Sequence, residues 1–359
     1  MGYSEVLGES CPGAPVDHFK ALRALLATLA LLPLASALAA DPINILPSDQ
    51  PTRELPLPGA LPSPQGQSFG THLDYWHDRL FIGVQDRIEQ LDARFSLDQP
   101  DRLPVPVSPF RIGLDSDFIS HPGGTAISPR LDVDLQLEMP NLERRLHLFI
   151  TSDSVAESPN VLGRDSSALR AGLRLTPLRY LDFDIGVRAD VPPYAFTSVR
   201  WQSLYGVAGF SIQPFVKLYA ETQRGLGLAS GITLDRWMGT WVARSSTYGN
   251  WLKDKSDTEW TQALIVAHAQ EVLRLGRYSD LVGGQDVAHG YGVQLLAAGT
   301  HDTGVQRYEA GIFYKHRTRT QWLYWHVTPL LRWERQFNWH PDPGINIGVD
   351  ALFWNLSTP

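Results

Sequence analysis

The chain has 359 residues, a formal net charge of −7 and a single cysteine, Cys11. That cysteine lies in a segment predicted to be removed, which excludes a disulfide framework and thiol chemistry from the mature protein. No apolar run of about 20 residues follows position 40, which excludes a membrane-spanning helix beyond it.

The N-terminus carries the pattern of a secretory signal peptide, predicted over residues 1–39. Lys20 and Arg23 precede a short apolar run from Ala24 to Leu34, and the small residues Ala37 and Ala39 follow it. We expect cleavage after Ala39; the alternative is a retained anchor. Residues 40–70 are rich in proline and lack periodicity, and they are predicted to form a flexible linker.

The next segment, residues 71–100, is predicted to contain one amphipathic helix. Its apolar side chains recur at helical spacing: Trp76, Leu80, Val84, Ile88, Leu91 and Phe95. Such a helix could cap or plug the mouth of the following domain, lie on a membrane, or simply pack against the protein.

Alternation with a period of two begins near residue 105 and continues towards the C-terminus. From Leu131 to Met139 every odd position is apolar and every even position is polar or acidic. Leu181 to Asp190 repeats the pattern, and weaker stretches resemble it. Successive side chains of a strand point to opposite faces, so each segment predicts a strand with one apolar and one charged face.

Connections of two lengths separate these strands. Short turns are predicted around residues 140–143, 176–179 and 317–320, and longer polar loops at Asp115–Ser128, Asp153–Ser167, Tyr248–Asp257 and Gln336–Gly344. Short turns at one end and long loops at the other are typical of outer-membrane barrels. We count about fourteen strands, with twelve as the alternative; residues 270–289 fit neither class of connection.

These features together predict an all-β fold over residues 105–359: a transmembrane antiparallel up-and-down β-barrel in the outer membrane of a Gram-negative bacterium. The 11 Trp, 12 Tyr and 14 Phe fit the aromatic belts of such a barrel. A soluble periplasmic β-protein is the alternative, since alternation also fits a half-buried soluble strand.

From about Trp76 onwards, several segments of the sequence resemble an uncharacterised family of proteobacterial outer-membrane β-barrel proteins. The matching words are PRLDVDLQLEMPNLERRLHLFITSDS, ALRAGLRLT, DTEWTQALIV and YEAGIFYKHRTRTQWLYWHVTPLLRWER. The family has no assigned reaction, so the resemblance implies a fold and a location only. Barrels generally finish on an aromatic residue that the insertion machinery reads, whereas here Phe353 and Trp354 are followed by residues 355–359.

No catalytic residue, metal ligand or cofactor is predicted. Outer-membrane lipid hydrolases use a His-x-Ser pair on one strand face, and none of the 11 histidines has serine two positions later. His326 and Thr328 share a strand face, but we interpret them as ordinary polar side chains of the lumen. His301 next to Asp302 in a predicted loop is weak evidence of a protease dyad. A lipid-modifying hydrolase remains the enzymatic alternative. The pairs Asp115 with Asp117 and Ser152 with Asp153 could bind cations, but a solvated loop is favoured.

The strongest functional prediction concerns polar side chains that would line the lumen: Asp132, Asp134, Glu138, Arg170, Arg174, Asp182, Asp184, Arg188, Glu309, Lys315 and Arg332. Charges of both signs could pair with one another across the lumen and close it, or they could line a narrow water-filled channel. We expect a non-enzymatic, porin-like narrow channel or envelope scaffold. Its expected partners are outer-membrane lipid and lipopolysaccharide, the barrel assembly machinery and a small polar solute, with no nucleic acid.

Overall fold

The computed structural model describes residues 69–95, 108–138, 146–152, 169–178, 180–253, 257–272 and 287–353. The predicted signal peptide and most of the predicted linker lie outside these ranges. Within the described ranges no helix is long and apolar enough to cross a membrane.

In the described ranges one α-helix precedes fifteen strands, and a short 3-10 helix, Arg335–Phe337, lies between the last two strands. The helix is α1 (Phe69–Phe95). The strands are β1 (Phe110–His121), β2 (Gly124–Glu138), β3 (Leu146–Ser152), β4 (Leu169–Leu178), β5 (Leu181–Arg188), β6 (Tyr194–Gln202), β7 (Tyr205–Val207), β8 (Phe210–Glu221), β9 (Gly225–Met238), β10 (Trp241–Leu252), β11 (Thr258–Val272), β12 (Val287–Thr300), β13 (Gly304–Arg317), β14 (Leu323–Glu334) and β15 (Pro341–Phe353).

Fourteen of these strands form a closed antiparallel barrel. Each strand pairs with its neighbour along the chain, and the short β7 pairs only with the start of β8. The circle closes because β6 also pairs with β8 and because β1 pairs with β15 from Phe110 with Phe353 to Ile119 with Gly344. The predicted fold and the count of fourteen are therefore confirmed.

Strand β5 shows why these sequences form a barrel wall. Its outward side chains Phe183, Ile185 and Val187 are 40%, 64% and 52% exposed, whereas Asp182, Asp184 and Arg188 on the other face are almost fully buried. A soluble protein would bury the apolar face instead. Other strands repeat this arrangement with exposed apolar side chains: Leu114, Leu131, Leu173, Leu218, Leu264, Val293, Ile312 and Val349.

The predicted amphipathic helix is confirmed, and it docks on the outside of the barrel wall. Phe81 packs against Phe110 and Phe353, which share the outward face of β1 and β15 with Leu114 and Val349. Gln85 donates to the carbonyl oxygen of Ser108 and accepts a hydrogen bond from its backbone N–H. We call the barrel end that carries α1 the helix end and the opposite end the far end.

Three predicted loops at the far end are wrong in extent. The stretch Asp115–Ser128 is a β-hairpin, in which Asp117 pairs with Ser128 and the turn consists of Pro122 and Gly123. Strand β10 likewise continues to Leu252, through half of the predicted loop Tyr248–Asp257. Strand β15 begins at Pro341, inside the predicted loop Gln336–Gly344. In each case backbone pairing extends the strands beyond the residues whose apolar alternation revealed them. The predicted turn at residues 140–143, the predicted loop Asp153–Ser167 and residues 273–286 lie outside the described ranges.

Candidate functional site

The inner face of the barrel carries most of the buried charge in the described part of the chain. Asp115, Asp117, Arg174, Asp184, Glu221, Glu309, Arg332 and Asp350 are each less than 10% exposed. Buried charges are costly unless they are paired, so their partners determine what the lumen can do.

Asp350 on β15 is the centre of one group. The Arg111 guanidinium lies 2.7 Å from Asp350 Oδ1, and Lys315 Nζ lies 2.8 Å from Asp350 Oδ2. His326 Nδ1 approaches the same oxygen at 3.9 Å. These partners come from β1, β13 and β14, so a single carboxylate ties four strands together.

The group continues along the wall through His326 and Asn346. His326 Nε2 lies 2.7 Å from Asp115 Oδ1 and 3.0 Å from Asn346 Oδ1. The Asn346 amide donates to Asp117 Oδ1 at 2.7 Å, and Arg130 lies 3.3 Å from the other oxygen of Asp117. Asp115 and Asp117 are therefore members of a lumen network and do not lie in a solvated loop.

Further pairs on this side lie nearer the far end. Arg332 pairs with Glu309 at 2.9 Å, Arg307 with Glu334 at 2.7 Å, and His121 with Asp342 at 2.7 Å. Each pair joins two neighbouring strands of the wall, which fixes the side chains against the backbone on the inner face.

The opposite side of the barrel is built around arginines. Arg174 binds Asp184 with two parallel hydrogen bonds of 2.7 and 2.9 Å, and its guanidinium lies 5.0 Å from the centre of the Phe149 ring. Thr176 donates to Asp182 at 2.7 Å. A forked pair of this kind holds both side chains in one orientation.

Glu221 on β8 is approached by three arginines at the far end. Arg170, Arg188 and Arg224 lie 3.3, 3.7 and 3.8 Å from its carboxylate. Three guanidinium groups therefore share a single carboxylate at this point of the lumen.

The two sides of the lumen thus differ in the sign of their charge. On β13–β15, β1 and β2 the described acidic side chains outnumber the basic ones, with Asp115, Asp117, Asp132, Asp134, Glu309, Glu334, Asp342 and Asp350 against Arg111, Arg130, Arg307, Lys315, Arg317 and Arg332. On β4–β6 and β8 basic side chains predominate, with Arg170, Arg174, Arg188, Arg200 and Lys217 against Asp182, Asp184 and Glu221. We call these the acidic wall and the basic wall.

Every predicted lumen residue with a described side chain lies on the inward strand positions. Arg174, Asp182, Asp184, Arg188, Glu309 and Arg332 are buried, Arg170 and Lys315 are partly buried, Asp132 accepts a hydrogen bond from Ser152, and Asp134 is exposed. The side chain of Glu138 lies outside the described residues. Whether these groups contact a solute stays a prediction.

The predicted lumen residues did not include Asp350 and Glu221, each of which lies within 4 Å of three basic side chains. Asp350 alternates with Ile347 and Val349 in a predicted strand, so its inward position was readable from the sequence. Glu221 lies in a weaker pattern, and its partners Arg170 and Arg188 come from distant strands. Only closure of the barrel brings those residues together.

The features considered for catalysis are dispersed. His326 is bonded to Asp115 and Asn346, while Thr328 lies on the same inward face. His301 and Asp302 occupy an exposed turn, where the Asp302 backbone N–H donates to Asp257. Within the described ranges no three His, Cys, Asp or Glu side chains converge closely enough to hold a metal ion.

A comparison with solved structures found several outer-membrane proteins that are similar to this chain. OprB of Pseudomonas putida has a TM-score of 0.40 and 9% identity, with 68% of this chain and 93% of that chain covered. A loop-deletion mutant of OmpT from Vibrio cholerae has a TM-score of 0.39 and 8% identity, with 68% and 98% covered. OccK2 of Pseudomonas aeruginosa, in complex with glucuronate, has a TM-score of 0.37 and 9% identity, with 68% and 97% covered.

Neither a scan against models of protein families nor a search of curated proteins found a match. The barrel assignment rests on the strand pairing of the chain itself.

Proposed function

We propose that this protein is an outer-membrane β-barrel that acts as a narrow, non-enzymatic channel for small polar solutes. The location is supported by the apolar side chains on the outward face of the barrel, because outer-membrane barrels present an apolar band to the lipid. Lipopolysaccharide and the barrel assembly machinery are the partners that such a location implies.

The observation that carries the channel proposal is the separation of charge between the acidic wall and the basic wall. Opposite charge on two sides of a lumen produces a field across it, and rings of charged side chains are a common basis of selectivity in pores. A solute that carries both a positive and a negative group would be oriented by this field. Arg170 and Lys315, whose side chains are each 12% exposed, are accessible from the lumen.

A scaffold is the second candidate, and the buried ion pairs favour it. Arg174 with Asp184 and Arg332 with Glu309 are closed pairs that stiffen the wall. A barrel whose lumen is filled by such pairs would support the envelope without conducting.

The test begins with the purified full-length protein in lipid vesicles. A folded barrel shifts its gel mobility between unheated and boiled samples, and planar-bilayer recording then measures conductance and the reversal potential in a salt gradient. Discrete conductance supports the channel. A folded barrel that stays silent overturns the channel in favour of the scaffold, and a protein without the heat-dependent shift overturns the outer-membrane location.

The substitution Arg170→Gln tests the basic wall directly. Glu221 keeps Arg188 and Arg224 as partners, so the variant is expected to fold. Loss of one positive charge should shift the reversal potential towards cation selectivity. Lys253→Gln, an exposed position just beyond β10, removes the same charge outside the lumen and should leave the reversal potential unchanged.

A further inference from the structure

A groove of about 490 Å³ lies between α1 and the outward face of β2. The helix contributes Trp76, Leu80, Val84 and Leu91, and the strand contributes Leu135 and Leu137. The volume falls within the roughly 300–1,000 Å³ of small-molecule sites. The groove is apolar and lies on the outside of the barrel, so it is separate from the lumen.

The helix presents two adjacent stripes, and only one of them docks on the barrel. His77, Phe81 and Gln85 are buried against β1, β15 and the residues before β1. The stripe that includes Trp76, Leu80 and Leu91 remains 61%, 46% and 38% exposed. An amphipathic helix that leaves such a stripe open beside a lipid-facing wall matches the pattern of helices that lie in a membrane interface.

The groove is continuous with the lipid-facing surface of β2. Leu135 and Leu137 share their strand face with Leu131, which is 43% exposed and belongs to the outward apolar surface. A hydrocarbon chain that covers this face can therefore pass into the groove without leaving an apolar environment.

Two arginines complete the groove at the helix. Arg79 and Arg87 line it and are exposed, with hydrogen bonds of 3.3 Å to the Tyr75 hydroxyl and to Gln90 Oε1. Exposed basic side chains next to the membrane attract anionic headgroups, and arginine matches the geometry of phosphate.

We propose that this groove binds a phospholipid of the leaflet at the helix end, with an acyl chain along Leu80, Leu135 and Leu137 and the phosphate at Arg79 and Arg87. This inference rests on the proposed location in the membrane. It assigns α1 a lipid-binding role in addition to its packing role.

Gly83 provides a matched pair of variants. It lines the groove, and a Cβ at this position would have no heavy atom within 4 Å. Gly83→Trp should therefore fill the groove without displacing the barrel, whereas Gly83→Ala leaves most of the space open. Both replace a glycine inside a helix by a residue with better helix propensity, so neither should weaken α1.

The experiment is native mass spectrometry of the full-length protein in detergent, titrated with phosphatidylglycerol. The wild type and Gly83→Ala should retain one lipid, and Gly83→Trp should bind it about tenfold more weakly, a change of roughly 1.4 kcal/mol. Equal binding by Gly83→Trp would overturn the proposal, because lipid would then bind elsewhere on the wall. A dimer of the wild type that Gly83→Trp dissociates would also overturn it, because a second copy would then fill the groove.

A second arm tests the headgroup. The double variant Arg79→Gln/Arg87→Gln should lose the preference for phosphatidylglycerol over phosphatidylcholine, while Lys253→Gln/Arg335→Gln at the far end should keep it. A preference that survives removal of both groove arginines would overturn the assignment of the phosphate. The heat-dependent gel shift separates the two proposals: without it the membrane location fails, whereas a folded barrel without specific lipid contradicts the groove alone.

Discussion

The His77 ring of α1 lies parallel to the Phe353 ring at the end of β15, with centroids 4.6 Å apart and an interplanar angle of 8°. Trp322, in the turn before β14, stacks on the same imidazole at 4.4 Å. His77 Nε2 also bonds to the Leu352 carbonyl oxygen at 3.1 Å. The helix is therefore fixed to the last strands of the barrel by specific contacts.

The docking of α1 depends on its buried stripe. Phe81 is fully buried, so Phe81→Ala should weaken the docking by about 3 kcal/mol, the usual cost of removing a buried phenyl ring. Hydrogen exchange should then increase across α1 and not in the strands. The neighbouring Leu80→Ala, at a half-exposed position, should have a much smaller effect. Equal effects of the two variants would mean that the helix docks through the other stripe.

The network around Asp350 should be a major source of barrel stability. Asp350→Asn leaves Arg111 and Lys315 on the inner face without the shared carboxylate, and breaking a buried pair costs about 3 kcal/mol. We expect a lower midpoint of urea unfolding from lipid vesicles. The exposed Asp302→Asn serves as control and should change stability by less than about 0.5 kcal/mol. Similar midpoints for both variants would refute a stabilising role of the network.

The outward face of β5 should be sensitive to charge. Ile185→Arg places a guanidinium in the middle of the apolar surface, which costs about 2 kcal/mol or more near the centre of a bilayer. Val191→Arg, in the loop after β5 at a position that is 97% exposed, should be tolerated. Folding yield and urea stability in vesicles measure the difference. If Ile185→Arg folds as well as Val191→Arg, β5 does not face lipid.

Asp257 should make a far-end turn sensitive to acid. Partial burial raises the pKa of Asp257, but hydrogen bonds from Thr300 and from the backbone N–H groups of Asp302, Thr258 and His301 outweigh it, so the pKa lies below 3.8. The stabilisation is then complete above the ordinary carboxylate range and is lost as pH falls through the lowered pKa. Exchange of the amides at 301–303, corrected for intrinsic rates, should increase in acid. Asp257→Ala should abolish this dependence on pH.

The sequence was sufficient to predict a strand and the direction of its side chains where one face of the strand is apolar along its whole length. The alternation in β5 and at Leu131–Met139 predicted both the strands and the inward direction of their charges. It failed for the hairpin of β1 and β2, because the adjacent apolar residues Phe118 and Ile119 point to opposite faces and break the alternation. Strand pairing alone extends the hairpin there.

The sequence contains no comparable pattern from which the docking face of α1 or the partners of Glu221 could be predicted. Polar His77 and Gln85 are buried because each finds a backbone partner at the barrel. Of the apolar residues that periodicity identified, Ile88 is buried and Val84 packs against the docked cluster, whereas Trp76, Leu80 and Leu91 stay exposed. Arg170 reaches Glu221 across 51 residues of chain. Pairs of this kind become visible only after the strands are arranged in a circle.

The position of α1 also has a consequence for the order of assembly. The helix lies over the line where the first strand meets the last, and it takes contacts from both, through Phe110 and Phe353. During synthesis and insertion β1 exists long before β15, so half of the docking surface is missing until the final strand is in place. The helix can settle only on a finished barrel, and its protection from protease would therefore mark the moment at which the cylinder has closed.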